Sequence, residues 1–435
     1  MVGAVTAALV RLWGEPVGAV AWLADRALAA FEFEPAFLRS GRDVAPLTMP
    51  VAQASGQIFS FPHLPRDTFM GLPGLLADAL PDKFGNALID AWLARQGRAA
   101  SDFNPVERLC YTGERGMGAL EFEPAMNQHL GRAAVPVEIA ELVELARMTT
   151  TERGRLDTRL GVGNGPDEAA LRDILRVGTS AGGARAKAVI ALDDQGHVLS
   201  GQGPVPSGYD YWLLKFDGVM DLELGGTQGY GRIEYAYSRM AHAAGITMSE
   251  CRLLHENGRA HFLTKRFDRV GREKLHMQSL CGIAHYDYNA AGAYGYEQVF
   301  DVMRRLRLPK ADAIQLYRRL IFNVVARNQD DHTKNIGFLM GPDGKWRLAP
   351  AFDLIYAHNP GGRWTYQHQM TINGKRDHFT RADLQTVGAS LGIARPDRIL
   401  EEVVDAVATW PDMAREAGVD PVRTAEITRA LRLNW

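Results

Sequence analysis

Two aspartates and an asparagine at set separations constrain this chain more than any other feature. In Asp330-Asp331-His332-Thr333-Lys334-Asn335 an Asp and an Asn stand five positions apart, and Asp353 follows eighteen residues after Asn335, within Ala349-Pro350-Ala351-Phe352-Asp353. Between them, Ile336-Gly337-Phe338-Leu339-Met340 is a short apolar run, Gly341-Pro342-Asp343-Gly344 is turn chemistry, and Trp346-Arg347-Leu348 resumes an extended pattern. A hairpin there folds the chain back and ends with Asn335 near Asp353. Protein-kinase-like phosphoryl transfer needs such a set: a base for the acceptor hydroxyl, here Asp330, and two metal ligands, here Asn335 and Asp353. Amide and carboxylate oxygens are hard ligands suited to Mg²⁺, which keeps waters and takes few protein groups. Cys110, Cys251 and Cys281 are scattered, without a CxxC pair, and suggest no soft-metal site. Either piece alone reads better as a charged loop or a proline-stopped strand, since short motifs match by chance. Their order and the hairpin joining them favour an ATP-dependent kinase.

Upstream, Val177-Gly178-Thr179-Ser180-Ala181-Gly182-Gly183-Ala184-Arg185-Ala186-Lys187 is a small-residue loop running into the strand Ala188–Leu192. Glycines let backbone N–H groups approach phosphate oxygens, and Arg185 and Lys187 add positive charge. The loop is neither a Walker loop nor GxGxxG, and taken alone a tight hairpin turn explains it equally well. In Tyr211-Trp212-Leu213-Leu214-Lys215-Phe216 a single lysine interrupts an apolar strand. A buried ammonium needs an anion. The ATP phosphates are expected to supply it, with Glu234 of a helix over Ile233–Ala244 as the orienting partner and Glu223 as the other candidate. The alternative is a strand-edge lysine reaching solvent.

Taken together, the loop TSAGGARAK, the strand YWLLKF, Lys265-Arg266-Phe267-Asp268-Arg269, the DDHTKN loop and the PAFD motif resemble the HipA family of serine/threonine kinases, toxins of bacterial type II toxin–antitoxin modules. The resemblance extends over almost the whole chain. Arg11-Leu12-Trp13-Gly14-Glu15-Pro16-Val17-Gly18 reads as an opening hairpin, and Leu80-Pro81-Asp82 and Gly116-Met117-Gly118-Ala119-Leu120 are similar to pieces of the family's N-terminal subdomain. It implies Asp330 as catalytic base, Asn335 and Asp353 as Mg²⁺ ligands, and Lys215 on the nucleotide phosphates. It implies nucleotide contacts from Ser180, Ala181, Gly182, Gly183, Lys187, His332 and Lys334. Lys265, Phe267 and Gln278 fall on the adenine-side hinge. Ser180, or Thr179 beside it, matches the autophosphorylated position. His332 is expected to hold the loop's shape rather than to move a proton. The resemblance also implies ATP and Mg²⁺ as cofactors, a protein substrate of the aminoacyl-tRNA synthetase kind, and a small helix-turn-helix antitoxin through which operator DNA is mainly contacted.

The expected fold is α+β and protein-kinase-like, with two lobes. An N-terminal subdomain (1–125) precedes a mixed α/β nucleotide-binding lobe (126–268) and a helical C-lobe with the catalytic loop and metal hairpin (269–435). Helical spacing marks Leu72–Gln96, Val135–Met148, Tyr296–Arg307, Lys310–Arg327, Arg381–Gly392 and Pro396–Ala417, and Thr149–Pro166 reads as a linker. A chain of 435 residues that is 46% apolar and 23% charged buries a sizeable core. No long apolar run or signal peptide is evident, and few unpaired cysteines fit a reducing compartment, so the cytoplasm and no membrane contact are expected. With net charge −2 the chain as a whole is no strong polyanion binder. Of the basic clusters Arg304-Arg305-Arg307, Arg318-Arg319 and Arg266/Arg269/Arg272, the first two read as solvated faces. Gln367-His368-Gln369-Met370-Thr371-Ile372-Asn373-Gly374-Lys375 is placed to line the acceptor side. A lone histidine there is more often packed or hydrogen-bonded than catalytic. Two other function classes remain open: a small-molecule or lipid kinase, and a nucleotide-binding co-repressor subunit.

Overall fold

The computed structural model describes residues 5–81, 85–90, 97–99, 103–124, 137–143, 146–147, 185–219 and 229–435. Trp13 and Gly14 both hold positive φ, 52° and 80°, as a two-residue turn joining right-twisted strands requires. They connect β1 (Ala7–Leu12) to β2 (Glu15–Leu23), the expected opening hairpin. With β3 (Leu28–Phe33), β4 (Ile58–Phe59) and β5 (Leu120–Glu123) these strands form an antiparallel sheet of order β4-β3-β2-β1-β5. Gly18 is obligatory in β2, because a Cβ there would collide with the Glu32 carbonyl on β3.

A second antiparallel sheet, ordered β7-β6-β8-β10-β9, carries the expected lysine strand. Its members are β6 (Lys187–Leu192), β7 (Val198–Ser200), β8 (Asp210–Lys215), β9 (Cys251–Glu256) and β10 (Arg259–Lys265). Helix Tyr230–Ala243 buries Ile233, Ala236, Tyr237, Met240 and Ala241, a stripe at helical spacing. Gly231 lets this helix approach the Ala260 carbonyl of β10 more closely than a Cβ would allow.

After the short hairpin of β11 (Arg269–Val270) and β12 (Glu273–Lys274), a three-stranded sheet joins β13 (His276–Ser279), β14 (Gly337–Met340) and β15 (Trp346–Leu348). The β14–β15 pair is the hairpin read from the turn residues. Around it lie helices Tyr296–Arg305, Lys310–Val325, Arg381–Ser390, Pro396–Ala408, Trp410–Ala417 and Pro421–Ala430.

Two expected helices are interrupted. Pro396–Ala417 breaks at Thr409, which caps a second helix with Pro411 in its first turn, where the missing N–H costs nothing. Leu72–Gln96 is not continuous: helix Gly74–Ala77 ends at Asp78, Pro81 follows, and helical conformation resumes over 85–90. Most of the Thr149–Pro166 linker's neighbourhood, and the linker itself, lie outside the described residues. Among the described residues no helix is long and apolar enough to cross a membrane.

The apolar side chains form two cores. One runs from the N-terminal sheet through helix Tyr230–Ala243 into the helical lobe, taking in Val10, Phe31, Tyr237, Phe322, Phe338 and Trp410. The other fills the second sheet, with Ile190, Trp212, Leu214 and Leu263 packed against Leu88, Ile89, Phe103 and Leu142.

The basic clusters differ from one another. Arg304, Arg305 and Arg307 are exposed as expected. Arg319 instead is buried and donates to the Ala349 carbonyl at 2.7 Å, and Arg318 donates to the Ala244 carbonyl and Glu402. Arg266 and Arg269 enclose the buried Asp268 carboxylate, whose pKa is held well below the usual range: burial opposes ionisation, and the two guanidiniums outweigh it.

His276 on β13 is buried edge-on to Trp346, with centroids 5.5 Å apart, and burial pushes its pKa down from 6.5 to about 4. As pH falls, the unfolded chain takes up this proton first. The stabilisation is therefore complete above about pH 6.5 and is lost towards about pH 4. Thermal unfolding across that window should show a midpoint falling with pH, and His276→Met should flatten the slope. An unchanged slope in the variant would remove His276 as its source.

Candidate active site

Lys215, at the end of β8, sends its ammonium to two carboxylates at once. It donates to Glu234 Oε1 at 2.5 Å and is bonded to Asp353 Oδ1. Glu234 is the fifth residue of helix Tyr230–Ala243 and almost fully buried, so of the two glutamates named from sequence it is the one brought to the lysine; Glu223 lies outside the described residues. Burial alone would lower the Lys215 pKa, but the charges of Asp353 and Glu234 raise it well above the ordinary lysine value. Asp353 shows the reciprocal effect. Burial would raise its pKa, and the ammoniums of Lys215 and Lys187, with the Lys215 hydrogen bond and His332, lower it to about 2. Lys187 stands directly opposite Lys215 in the β6–β8 register and is buried.

Asp353 sits at φ 54°, in the left-handed region that non-glycine residues enter sparingly. A cavity of about 20 Å³ is lined by Asp353, Asn335, Asp331, Tyr296, Asn323 and Asn328 among others. That is room for one water or one small ion. Asn335 Nδ2 donates to the Asp330 carbonyl at 2.8 Å, leaving its amide oxygen for another partner. An amide oxygen and a carboxylate on one small cavity fit Mg²⁺, which prefers hard oxygen ligands and takes few of them from protein. The Asp330 side chain is 48% exposed, open to an incoming hydroxyl.

His332 precedes the short 3-10 turn Thr333–Asn335, its ring 5.6 Å from that of Tyr288 and its Nε2 3.9 Å from Asp330 Oδ1. Lys334 lies over the Tyr288 ring at 4.8 Å. It also borders a second, tight cavity with Asp78, Cys281 and Gly282. The Phe267 ring packs on Phe352, beside Asp353, at 5.7 Å. Lys265 turns its ammonium to Asp210 at 2.6 Å, near the surface.

Gln278 is held by the N-terminal part of the chain. Its side chain is buried and donates to the Val44 carbonyl at 2.9 Å, because strand alternation puts it on the same face of β13 as His276. Thr179, Ser180, Ala181, Gly182 and Gly183 lie outside the described residues.

Sequence reasoning missed the polar network behind the Asp330–Asn335 loop. Asp331, Tyr296, Asn323, Asn328 and His368 are all buried and hydrogen-bonded to one another. Only the Asp330-Asp331 doublet hinted at it, and its partners lie too far along the chain for any local signal.

Replacing Lys215 by Met leaves Glu234 without its ammonium and Asp353 with Lys187 as its nearby counter-charge. Breaking a buried pair on one side costs about 3–5 kcal/mol. Urea unfolding of Lys215→Met should show a loss of that order, and a loss under about 1 kcal/mol would mean that the pair behaves as an exposed one.

A model of the HipA N-terminal domain matches residues 8–123, and a model of the HipA-like C-terminal domain matches residues 179–410. The fold is similar to that of HipA from Shewanella oneidensis MR-1, solved with HipB and its operator DNA. The TM-score is 0.66, covering 97% of this chain and 94% of that one at 16% sequence identity, and the likeness is one of fold. It agrees with an α+β, two-lobed, protein-kinase-like architecture. A Sinorhizobium fredii protein named as a kinase, Y4mE, is 28% identical over 127 residues. That region is 27% of this chain and 30% of the relative, so the chain covers under a third of that relative's length. On the two domain models, which between them take in the N-terminal sheet and both lobes, the chain belongs to the HipA family.

Proposed function

We propose that this protein is an ATP-dependent serine/threonine protein kinase that acts as the growth-inhibiting toxin of a toxin–antitoxin module. The observation that carries the reading is the Lys215 ammonium bonded at once to Glu234 and Asp353, with Asn335 on the same cavity. A lysine fixed by a helix glutamate beside a metal-binding carboxylate is the arrangement that kinases need in order to hold ATP phosphates.

Lys215 and Lys187 offer positive charge to the phosphates, and Glu234 keeps the lysine oriented. Asn335 and Asp353 would hold Mg²⁺, which when bound neutralises charge on phosphate oxygens. Asp330 orients the acceptor hydroxyl and takes its proton. Catalysis then rests on positioning and charge, since phosphoryl transfer asks little covalent work of the protein. The small-residue loop around Ser180 is the proposed phosphate cradle, and Ser180 or Thr179 the proposed site of self-phosphorylation. The protein substrate is proposed to be a translation protein of the aminoacyl-tRNA synthetase kind, following the family resemblance. The proposed partner is a helix-turn-helix antitoxin that carries most of the operator contact. The Shewanella complex with HipB and DNA supports this, and so does the internal use of Arg266, Arg269 and Arg319.

Purified protein with Mg·ATP should label itself or a lysate protein. Asp330→Gln should lose about 10²–10⁴-fold in transfer while keeping ATP affinity, and Asp353→Ala should lose both. Wild-type turnover in Asp330→Gln would overturn the assignment of the base. Labelling only of small alcohols or lipids would move the activity to another kinase class.

Expressed alone in a bacterium, the wild type should slow growth and the Asp330 variant should not. Mass spectrometry should find phosphate on Ser180 or Thr179 in the wild type only. Phosphate confined to other residues would remove the self-phosphorylation step.

A further inference from the structure

Asp330 and Asp331 are neighbours with opposite surroundings: Asp330 is half exposed, whereas Asp331 is 3% exposed. Both Asp331 oxygens are already used. Oδ1 accepts the Gln369 N–H at 2.8 Å, and Oδ2 accepts from the Tyr296 hydroxyl at 3.1 Å and from His368 Nδ1 at 2.9 Å. These donors come from segments 35 to 38 residues away. They tie the catalytic loop to helix Tyr296–Arg305 on one side and to the strip His368–Gln369 on the other.

His368 gives up something to be there. Its ring is fully buried, edge-on to Phe379 at 5.2 Å, and its Nε2 finds no hydrogen-bond partner among the described residues. A buried, unmet ring nitrogen is a cost that an apolar residue of similar size would avoid. What the imidazole adds is a hydrogen bond to a buried carboxylate, the stronger kind of bond.

We propose that His368 is a positioning residue for phosphoryl transfer. By clasping Asp331 it fixes the peptide from which the adjacent Asp330 meets the acceptor hydroxyl. The proposal rests on the kinase reading above. Asn335 Nδ2 closes the same loop onto the Asp330 carbonyl, so a shift of Asp331 moves the base directly. Lys215, Glu234, Lys187 and Asp353 lie on other elements, and of the groups proposed to face the nucleotide and its metal only Asn335 shares the loop with Asp330. The clasp therefore governs turnover rather than nucleotide affinity.

The test compares two substitutions at one site. His368→Leu keeps apolar packing on Phe379 but removes the donor, whereas His368→Asn loses packing and can still donate from about the place of Nδ1. His368→Leu should lower kcat about 10- to 100-fold, the scale of one hydrogen bond to a charged group or of a small misplacement. Its KM for ATP should stay within about threefold, and His368→Asn should recover most of the rate despite its poorer packing. In hydrogen exchange, amides of 330–335 should open faster in His368→Leu than in the wild type or His368→Asn.

Wild-type kcat in His368→Leu, equal losses in both variants, or unchanged exchange in His368→Leu would each overturn the clasp. A wild-type protein that transfers no phosphate would instead sink the kinase reading, and the exchange comparison alone would then decide the clasp. Should His368→Leu fail to fold, Tyr296→Phe removes one other donor to Asp331. It should lower kcat in the same direction, and a wild-type rate there would overturn the proposal.

Discussion

A buried ammonium between two carboxylates organises this molecule. Lys215 comes from the end of a strand, Glu234 from the second turn of a helix, and Asp353 from the residue after the Ala349–Phe352 stretch that follows a hairpin. Unpaired, Glu234 and Lys215 would be expensive to hold away from water, and Asp353, 29% exposed, less so. Together they satisfy one another, and in doing so they fix the relative positions of elements that nothing local would bring together. Lys187 adds a second positive charge across the β6–β8 ladder, which helps to keep Asp353 ionised.

What could be read from sequence was whatever local chemistry decides. Trp13-Gly14 gives a two-residue turn, and Gly341-Pro342-Asp343-Gly344 gives a hairpin that carries Asn335 and Asp353 to one cavity. A single lysine in an apolar strand demanded an anion, and the structure supplies two. What was hidden depends on partners remote in sequence. The role of Asp331 is set by Tyr296 and His368, and the burial of Gln278 by Val44. The interruption after Ala77 goes with Asp78, whose carboxylate bonds Ser279 instead of extending a helix. Helical spacing over Leu72–Gln96 carried no trace of that competing contact.

The motif Lys265–Arg269 illustrates how composition can mislead. Its arginines suggest a basic surface, yet Arg266 and Arg269 donate to the carbonyls of Gly116 and Gly118, and Gly118 N–H donates to Asp268 at 2.7 Å. A carboxylate with two guanidiniums and an amide is thus sealed between the N-terminal sheet's last connection and the segment leaving β10. Two stretches that stood out separately in the sequence are halves of one buried ionic joint.

The two apolar cores give the lysine cluster a mechanical meaning. Lys215 rides on the core of the second sheet, through Trp212 and Leu214. Glu234 and Asp353 ride on the other, through Ile233, Tyr237, Ala351 and Leu354. The ion pairs therefore form a latch between two bodies, each internally close-packed and stiff. The place of the Lys215 ammonium is in this way tied to how the two cores are seated against each other.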